Sequence, residues 1–155
     1  SSAVSTPAAC ASATRAIVWG YNTTTIDYFT ISSTGNSTDF GDTLVRTGRN
    51  PASFANSTRG IWAGGYYSPG INTIEFVTIA STGNATDFGD LATATWDTSG
   101  TAGLTRGLIV GGYAGARVNT VSYVTILTAG NASDFGDLTT LAQHPGSASS
   151  AHGGL

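Results

Sequence analysis

The sequence contains no lysine and no methionine, and charged residues make up only 10% of its 155 residues. All six basic residues are arginines, and nine acidic residues outweigh them to give a formal net charge of −3. A protein that follows the phosphates of DNA or RNA needs a stripe of basic residues. We therefore predict no nucleic-acid partner.

Cysteine and long hydrophobic runs are also scarce. Cys10 is the only cysteine, so the chain alone can form neither a disulfide nor a thiolate metal cluster. We predict no metal and no cofactor. The longest apolar runs, such as 16–19 and 108–110, fall far short of a membrane span, and we predict no membrane partner. The opening segment 1–15 lacks an initiator Met and a signal-peptide pattern, which indicates a processed start or a fragment.

The main feature that the sequence does contain is a repeat. Three stretches read almost the same: STGNSTDFGDT at 33–43, STGNATDFGDL at 81–91 and TAGNASDFGDL at 128–138. Asp39 and Asp87 are 48 residues apart, and Asp87 and Asp134 are 47 apart. A fixed period of roughly 20–50 residues is typical of stacked supersecondary units. The whole chain therefore reads as one repeat array.

Each unit reads as four short strands, judged from alternation, β-branched and aromatic residues, and turn residues. In the second unit we predict strands at 51–57, 60–66, 72–81 and 86–91. Four strands in a unit of roughly 40–50 residues, with paired glycines, predict a blade of a β-propeller. We predict an all-β fold in one repeat domain, 1–155, made of three four-stranded antiparallel blades. Their approximate bounds are 1–45, 46–92 and 93–139, and the tail 140–155 begins a strand of a further blade.

The pattern within a unit resembles the kelch family of β-propellers. Arg-Gly precedes Gly-Gly-Tyr at 59–66 and 106–113, and an aromatic residue closes each fourth strand. In that family the closing residue is usually Trp, whereas here it is Phe40, Phe88 and Phe135. The first unit, RAIVWGY at 15–21, departs further and has only one glycine of the pair. The segment IEFVTIASTGNATDFGDL at 74–91 is also similar to repeats in predicted structural proteins of phages and marine viruses. The resemblance implies kelch-like blades and a structural role.

The repeated Asp-Phe-Gly-Asp is interpreted as scaffold. The Gly-Asn pair before it suits a tight turn between the third and fourth strands. We expect the first Asp to accept backbone amides, the Phe to pack between blades, and the Gly to allow a bulge or close backbone approach. Repeated arginines would bond turn carbonyls or an Asp of the next blade, with an anion-binding ring as the alternative. The structural residues are Asp39, Phe40, Gly41, Asp42, Asp87, Phe88, Gly89, Asp90, Asp134, Phe135, Gly136, Asp137, Arg15, Arg59 and Arg106.

Three other interpretations of the Asp-Phe-Gly-Asp motif are less well supported than the scaffold role. A protein kinase carries Asp-Phe-Gly once and needs a lysine, which this sequence lacks. Ser37, Asp39 and Gly41 resemble the Asp-box of sialidase-type propellers, which is itself a hairpin element. Calcium binding by Asp39 with Asp42 stays open, although the loop lacks the alternating acids of a calcium site.

Candidate catalytic residues are few. His144 and His152 lie in the weakly patterned tail, where histidines are usually exposed. Glycoside hydrolysis needs two acids that converge in one cleft. Only Asp27, Glu75 and Asp97 are acids outside the repeated turn. We predict that the protein is not an enzyme.

The loops differ between units on one side of the predicted blades. Loops between the second and third strands read YNTTT (21–25), YYSPGIN (66–72) and YAGARVN (113–119), and the connections between units, 43–51 and 91–100, also differ. The turn between the third and fourth strands barely varies. We call the variable side the divergent face and predict that it carries any binding site, the alternative being loops that simply tolerate change. The candidates are Tyr66, Tyr67, Tyr113, Arg117, Arg46, Arg49 and Trp96.

Three blades leave unpaired edges, because propeller rings usually need about four to eight blades. We expect closure with copies of the chain, most simply two chains that form roughly six blades, or membership of a longer ring. The sequence favours a non-enzymatic structural or interaction module, such as a fibre, neck or capsid-decorating component of a phage or viral virion, located in the virion or outside the cell. The alternative is a secreted, lectin-like propeller that binds surface glycans through its aromatic residues. A glycan-active enzyme is a third hypothesis.

Overall fold

The computed structural model describes residues 8–20, 22–46 and 48–149, and within them the chain contains strands and no helix. Twelve strands form three four-stranded antiparallel sheets, each a meander of consecutive strands. The predicted all-β fold of three such sheets, here called blades, is confirmed. Blade 1 consists of β1 (Ala8–Ala11), β2 (Arg15–Trp19), β3 (Thr25–Thr30) and β4 (Thr38–Asp42). Blade 2 consists of β5 (Ala52–Ala55), β6 (Arg59–Ala63), β7 (Thr73–Thr78) and β8 (Thr86–Asp90). Blade 3 consists of β9 (Ser99–Ala102), β10 (Arg106–Tyr113), β11 (Arg117–Thr125) and β12 (Ser133–Ala142).

The strand ends differ from those predicted. In blade 2, β6 ends at Ala63 and β7 at Thr78, before the predicted ends at 66 and 81. Gly64 and Gly65 follow β6 with φ angles of 71° and 113°, in the region that favours glycine, whereas the equivalent Gly111 and Gly112, with φ angles of 57° and 116°, lie within β10. In blade 3, β12 continues to Ala142, past residue 139.

The first strands of the blades lie side by side. Ser53 Oγ in β5 donates to Ala9 O in β1 at 3.0 Å. Gly100 in β9 lies so close to β5 that a Cβ there would come within 2.4 Å of the Ser53 carbonyl oxygen. The tail continues the series, because Ser147 Oγ donates to Gly100 O at 2.7 Å. The tail thus lies beside β9 as β5 lies beside β1, but 140–142 belong to β12 and no strand forms over 143–149. The remainder of the predicted further strand, 150–155, lies outside the described residues.

The Asp-Phe-Gly-Asp strand of each inner interface receives the turn of the next blade. Phe40 O accepts from Gly83 N at 2.8 Å, and Asp42 O accepts from Ala85 N at 2.8 Å. Asp42 N donates to the Asn84 side-chain oxygen at 3.0 Å. The same three bonds join blade 2 to blade 3, at 2.7, 2.9 and 3.0 Å. One set of contacts therefore serves both interfaces.

The glycine of the motif permits this close approach. At Gly41, where φ is 148°, a Cβ would lie 2.4 Å from Gly83 O. At Gly89, where φ is 143°, it would lie 2.6 Å from the carbonyl of Gly130. Gly136 has a similar φ of 139°, but no atom lies within 4 Å of its Cβ position. Only the first two glycines are required by contact with a neighbouring blade.

The repeated arginines join the blades through backbone carbonyls. Arg15 stacks over Tyr28, with 4.6 Å from its guanidinium carbon to the ring centroid, and donates to Ile79 O of blade 2 at 3.0 Å. Arg59 donates in the same way to Ile126 O of blade 3 at 3.0 Å. Both arginines thus bridge neighbouring blades rather than contacting an aspartate.

The hydrophobic core consists of two layers between blades. One lies between blades 1 and 2 and includes Phe40 and Trp62, and the other lies between blades 2 and 3 and includes Phe88 and Ile109. Full burial of a side chain such as Phe or Ile contributes about 1.5–3 kcal/mol. Burial of these side chains therefore stabilises the stacking of each blade on the next.

Two ionisable groups are buried in the layer between blades 1 and 2. Burial raises the pKa of the Cys10 thiol to about 12. Burial also raises the pKa of Glu75 above its usual 4.5, although the amides of Leu44 and Val45, which donate to its carboxylate at 2.9 and 3.3 Å, act in the opposite direction. The Glu75 carboxylate thereby anchors the connection from blade 1 to blade 2.

Substitution of a motif glycine by alanine is expected to destabilise the protein more at Gly89, which contacts the next blade, than at Gly136, which contacts no other blade of the chain. Gly136→Ala should lower the free energy of unfolding of the single chain by about 1 kcal/mol, because no other blade of that chain contacts Gly136 and only the unfavourable φ matters. Gly89→Ala should cost about 1–3 kcal/mol more, since its Cβ overlaps the backbone of the next blade. Urea denaturation of both variants beside the wild type measures the difference. Equal destabilisation would show that blade contact does not explain the glycine.

Candidate functional site

The loops of the predicted divergent face pair with each other in the structure. Arg49, in the connection that precedes blade 2, exchanges two backbone hydrogen bonds with Tyr66, both 3.1 Å long. Trp96, at the equivalent place before blade 3, does the same with Tyr113 at 3.1 and 2.8 Å. The connections between blades and the loops after the second strands therefore form one surface.

Four of the seven candidate residues form a continuous row on that surface. The Arg49 guanidinium lies 4.9 Å from the Tyr66 ring centroid. The Tyr66 and Trp96 rings are 4.8 Å apart, and the Trp96 and Tyr113 rings are 5.2 Å apart, both tilted. Gly70 allows its loop to lie on the indole, because a Cβ there would be 2.8 Å from the Trp96 ring. This aromatic row links blade 2 to blade 3.

The other three candidates lie outside the aromatic row. Arg46 is exposed and donates to the Asn22 side-chain oxygen at 3.0 Å, in the loop of blade 1. Arg117 is exposed and its Nε donates to the Gln143 side-chain oxygen at 3.3 Å. Tyr67 has 38% of its side chain exposed. The seven candidate residues therefore do not converge on one point.

Beside the aromatic row, the structure brings together three residues that the sequence analysis did not combine. Asn50, Asp97 and His144 are spaced 47 residues apart and have φ angles of 52°, 55° and 53°. Asn50 Nδ2 donates to Asp97 Oδ1 at 2.6 Å, and His144 Nε2 lies 3.1 Å from the same oxygen. Gln143 Nε2 donates to the other oxygen, Oδ2, at 2.8 Å. We call Asn50, Asp97 and His144 the axial cluster.

Asp97 is the ionised centre of the axial cluster. Its burial, with only 7% of the residue exposed, acts to raise its pKa. The hydrogen bonds from Asn50 and Gln143 and the charges of His144 and Arg49 outweigh burial, so the pKa of Asp97 is lowered from its usual 3.8. A carboxylate with several donors around it stays charged at neutral pH.

His144 is exposed, as predicted for a histidine of the tail, but it also contacts a carboxylate. Its side chain is 58% exposed, yet it lies 3.1 Å from the Asp97 carboxylate, and His152 lies outside the described residues. Asn, Asp and His are the residues most enriched at positive φ, which explains why three chemically different residues occupy one position of the repeat. The equal spacing was the signal that could have revealed the cluster.

The axial cluster borders a polar groove between the first strands. The groove has a volume of about 340 Å³, and its polar lining comes from residues of blades 2 and 3 and of the tail. These are Asn50, Ser53, Thr98, Ser99, His144 and Ser147. Hydroxyl, amide and imidazole groups in an open groove suit a polar ligand better than an apolar one.

The aspartates of the repeated motif are placed on the outside. Asp39, Asp87 and Asp134 are exposed. Among the described residues the expected acceptance of a backbone amide is found at Asp134, whose Oδ1 accepts from Gly136 N at 3.2 Å. Nowhere in the described part of the chain do three His, Cys, Asp or Glu residues come close enough to hold a metal ion.

No known protein family and no curated protein matches this sequence. The structure therefore defines the class at the level of an all-β protein of three four-stranded, propeller-like blades. Within the described ranges no helix is long and apolar enough to span a membrane.

Replacement of Asp97 by Asn is expected to reduce the sensitivity of the protein to acid. A carboxylate whose pKa is lowered by folding stabilises the protein above its unfolded pKa, and this contribution is lost as the pH falls through the folded value. Asn suits the left-handed backbone, as Asn50 shows. Asp97→Asn should lower the free energy of unfolding by about 1–2 kcal/mol at pH 7. Its deficit should disappear in strong acid.

Denaturant titrations of both proteins between neutral and strongly acidic pH measure this difference. Parallel stability curves would show that the Asp97 charge does not contribute.

Proposed function

We propose that this chain is a non-enzymatic, kelch-like β-propeller module with a structural or interaction role, and that it is a component of a phage or other viral virion. It acts as part of a fibre, a neck or the decoration of a capsid, in the virion or outside the cell. Its partners are copies of itself or other virion proteins, and the divergent face meets them.

The observation that supports this proposal most strongly is that the repeated sequence is used for stacking blades. The turn, the Asp-Phe-Gly-Asp strand and the arginine make the same contacts at both internal interfaces. A sequence element that serves assembly at both internal interfaces leaves the loops of the other side free to specialise. Repeated assembly contacts on one side and variable loops on the other are typical of an interaction scaffold.

The placement of the acids supports a role without catalysis. Asp27 accepts from the Ser37 hydroxyl at 3.3 Å, Glu75 anchors a connection between blades, and Asp97 belongs to the axial cluster. These three acids share no hydrogen-bond partner among the described residues. A pair of acids that converge in one cleft, as glycoside hydrolysis requires, is not formed by them.

The assignment to a virus particle rests on the resemblance of the repeat 74–91 to structural proteins of phages and marine viruses. Composition is compatible with it, since the chain has few charges and abundant small residues, including 21 glycines. The open sides of blades 1 and 3 support association, because unpaired or uncovered sheet surfaces recruit partners.

Self-association is the first consequence that can be measured. We expect the wild-type protein to form a defined assembly, most simply a dimer, over roughly 1–100 µM in sedimentation equilibrium at moderate salt. A single monomeric species over that whole range would contradict the proposed role. A discrete dimer indicates a closed ring, and a series of larger species indicates a filament or lattice.

A second candidate function is carbohydrate binding by a secreted, lectin-like propeller. It is favoured by the aromatic row and the neighbouring Tyr67, because sugar rings stack on aromatic side chains. The Trp96 ring already contacts the rings of Tyr66 and Tyr113, whereas Tyr67 is 38% exposed. Among the aromatic candidates of the divergent face, Tyr67 is therefore the one most open to a sugar.

A glycan array with matched variants tests this candidate. Tyr67→Ala should abolish saturable binding, whereas Leu104→Ala should retain it, because Leu104 is 62% exposed but lies in the turn between β9 and β10, away from the divergent face. Wild-type protein that binds no glycan would exclude the lectin-like function and leave the structural one.

A further inference from the structure

We propose that two copies of this chain bind head to tail, with the open side of blade 1 in one copy docked on the open side of blade 3 in the other. The contacts are those that join neighbouring blades within the chain. The inference deepens the proposed function and rests on the self-association named there.

Two surfaces define the interface. The leading face is the open side of blade 1 and is formed by Phe29, Ile31, Gly35 and Asn36. The trailing face is the open side of blade 3 and is formed by Arg106, Phe135, Gly136 and Asp137. Each corresponds by its position in the repeat to residues that are used inside the chain.

The leading face has the apolar surface of an internal interface without its cover. Ile31 is 53% exposed, whereas the equivalent Ile79 and Ile126 are 1% and 0% exposed. Phe29 is 40% exposed, whereas the equivalent Val77 is 2% exposed. Apolar surface that its counterparts bury is a driving force for association.

The turn of the leading face already has its docking conformation. The backbone bond that closes it, from Ser33 N to Thr30 O, is 3.2 Å long, as is its counterpart in blade 2. Gly35 has a φ of 158°, the same as Gly83 in the docked turn of blade 2. Binding would therefore require little reorganisation of this turn.

The trailing face is equally preformed. Phe135 is 54% exposed, whereas Phe40 is 2% exposed, yet both make edge contacts with a tyrosine. The centroid distances are 6.1 Å from Phe135 to Tyr123 and 5.9 Å from Phe40 to Tyr28. Arg106 lies 4.8 Å from the Tyr123 centroid, in the arrangement from which its counterparts donate to the next blade.

The internal interfaces specify the contacts between copies. Asp137 N donates to the Asn36 side-chain oxygen, and Arg106 donates to Ile31 O. Gly136 leaves room for the incoming turn, because no atom lies within 4 Å of its Cβ position. A leading face offers no receiving strand to another leading face. The interface is therefore heterologous, which joins copies in one direction.

The tail lies where β1 of the incoming copy belongs. Ser147 Oγ donates to Gly100 O at 2.7 Å, and Ser149 Oγ donates to Ala102 O at 2.9 Å. Ser53 of β5 makes the equivalent bond to β1 within the chain. Docking of a second copy therefore displaces residues 147–149, and the tail acts as a competitor for this inner part of the trailing face.

Two single variants separate the faces. Ile31→Asp blocks the leading face and leaves the trailing face intact, whereas Phe135→Asp does the reverse. Both residues are more than half exposed, so the fold of each variant should persist, which circular dichroism and urea denaturation verify. Leu104→Asp is the matched control, since Leu104 is 62% exposed and its counterpart in blade 2, Ser57, stays exposed beside blade 3.

Sedimentation equilibrium of each variant and of their mixture gives the decisive comparison. Each blocked variant alone should associate about 100-fold more weakly than wild type, because a buried charge replaces a central apolar contact. Their equimolar mixture should form a one-to-one dimer and nothing larger, since only one pair of intact faces remains. Leu104→Asp should behave as wild type.

Other outcomes overturn the inference in distinguishable ways. If the wild type assembles and either blocked variant alone assembles equally well, the head-to-tail interface is wrong while the proposed function stands. A mixture that stays monomeric beside an assembling wild type overturns it too. A wild type that never associates removes both.

The role of the tail is tested in the same assay. Ser147→Ala removes two hydrogen bonds that hold the tail on β9, the donation to Gly100 O and the acceptance from Ser99 Oγ. It should therefore strengthen association by about fivefold or more. Unchanged or weaker association would show that the tail does not compete with the incoming β1.

Discussion

The docking of a turn onto the Asp-Phe-Gly-Asp strand is the constraint on which the rest of the structure depends. It consists of backbone hydrogen bonds and one asparagine side chain, so it fixes the register between blades to a single value. That register places the phenylalanine and the arginine of the first two units where the next blade covers or accepts them. It also covers the outer edge of a sheet that would otherwise be open to pairing with other chains. The hydrophobic layers form between blades whose spacing these bonds have set.

Much of the fold could be predicted from the sequence, because the repeat period and the alternation of residues within strands are direct consequences of β geometry. Strand ends could not, since the equivalent glycine pairs 64–65 and 111–112 have similar positive φ angles, yet only the second pair lies within a strand. The atom that Gly41 must avoid belongs to Gly83, in another unit, so only the folded chain identifies it. The partners of the repeated arginines are backbone carbonyls, which carry no signature in sequence.

The candidate site could be predicted from the sequence only in part. Differences between units located the divergent loops, because scaffold contacts restrict only the other turns. The axial cluster was missed because Asn50, Asp97 and His144 differ in charge and shape, and what they share is a backbone torsion. Trp96 was expected as an open binding residue, whereas its ring also holds Tyr66 and Tyr113 together. A residue can therefore belong to a variable surface and still support the loops around it.

The contact between blades has a direction, since a turn on one side meets a strand on the other. Units joined by such a contact without inversion all turn the same way, and their divergent loops point to the same side. Copies of the chain joined in this way present the same loops at regular intervals, so a target that carries several identical groups meets several identical sites at once, and weak individual contacts combine into avidity. The strength of attachment would be set by how many copies assemble, so it can be adjusted through the size of the assembly without improving any single site.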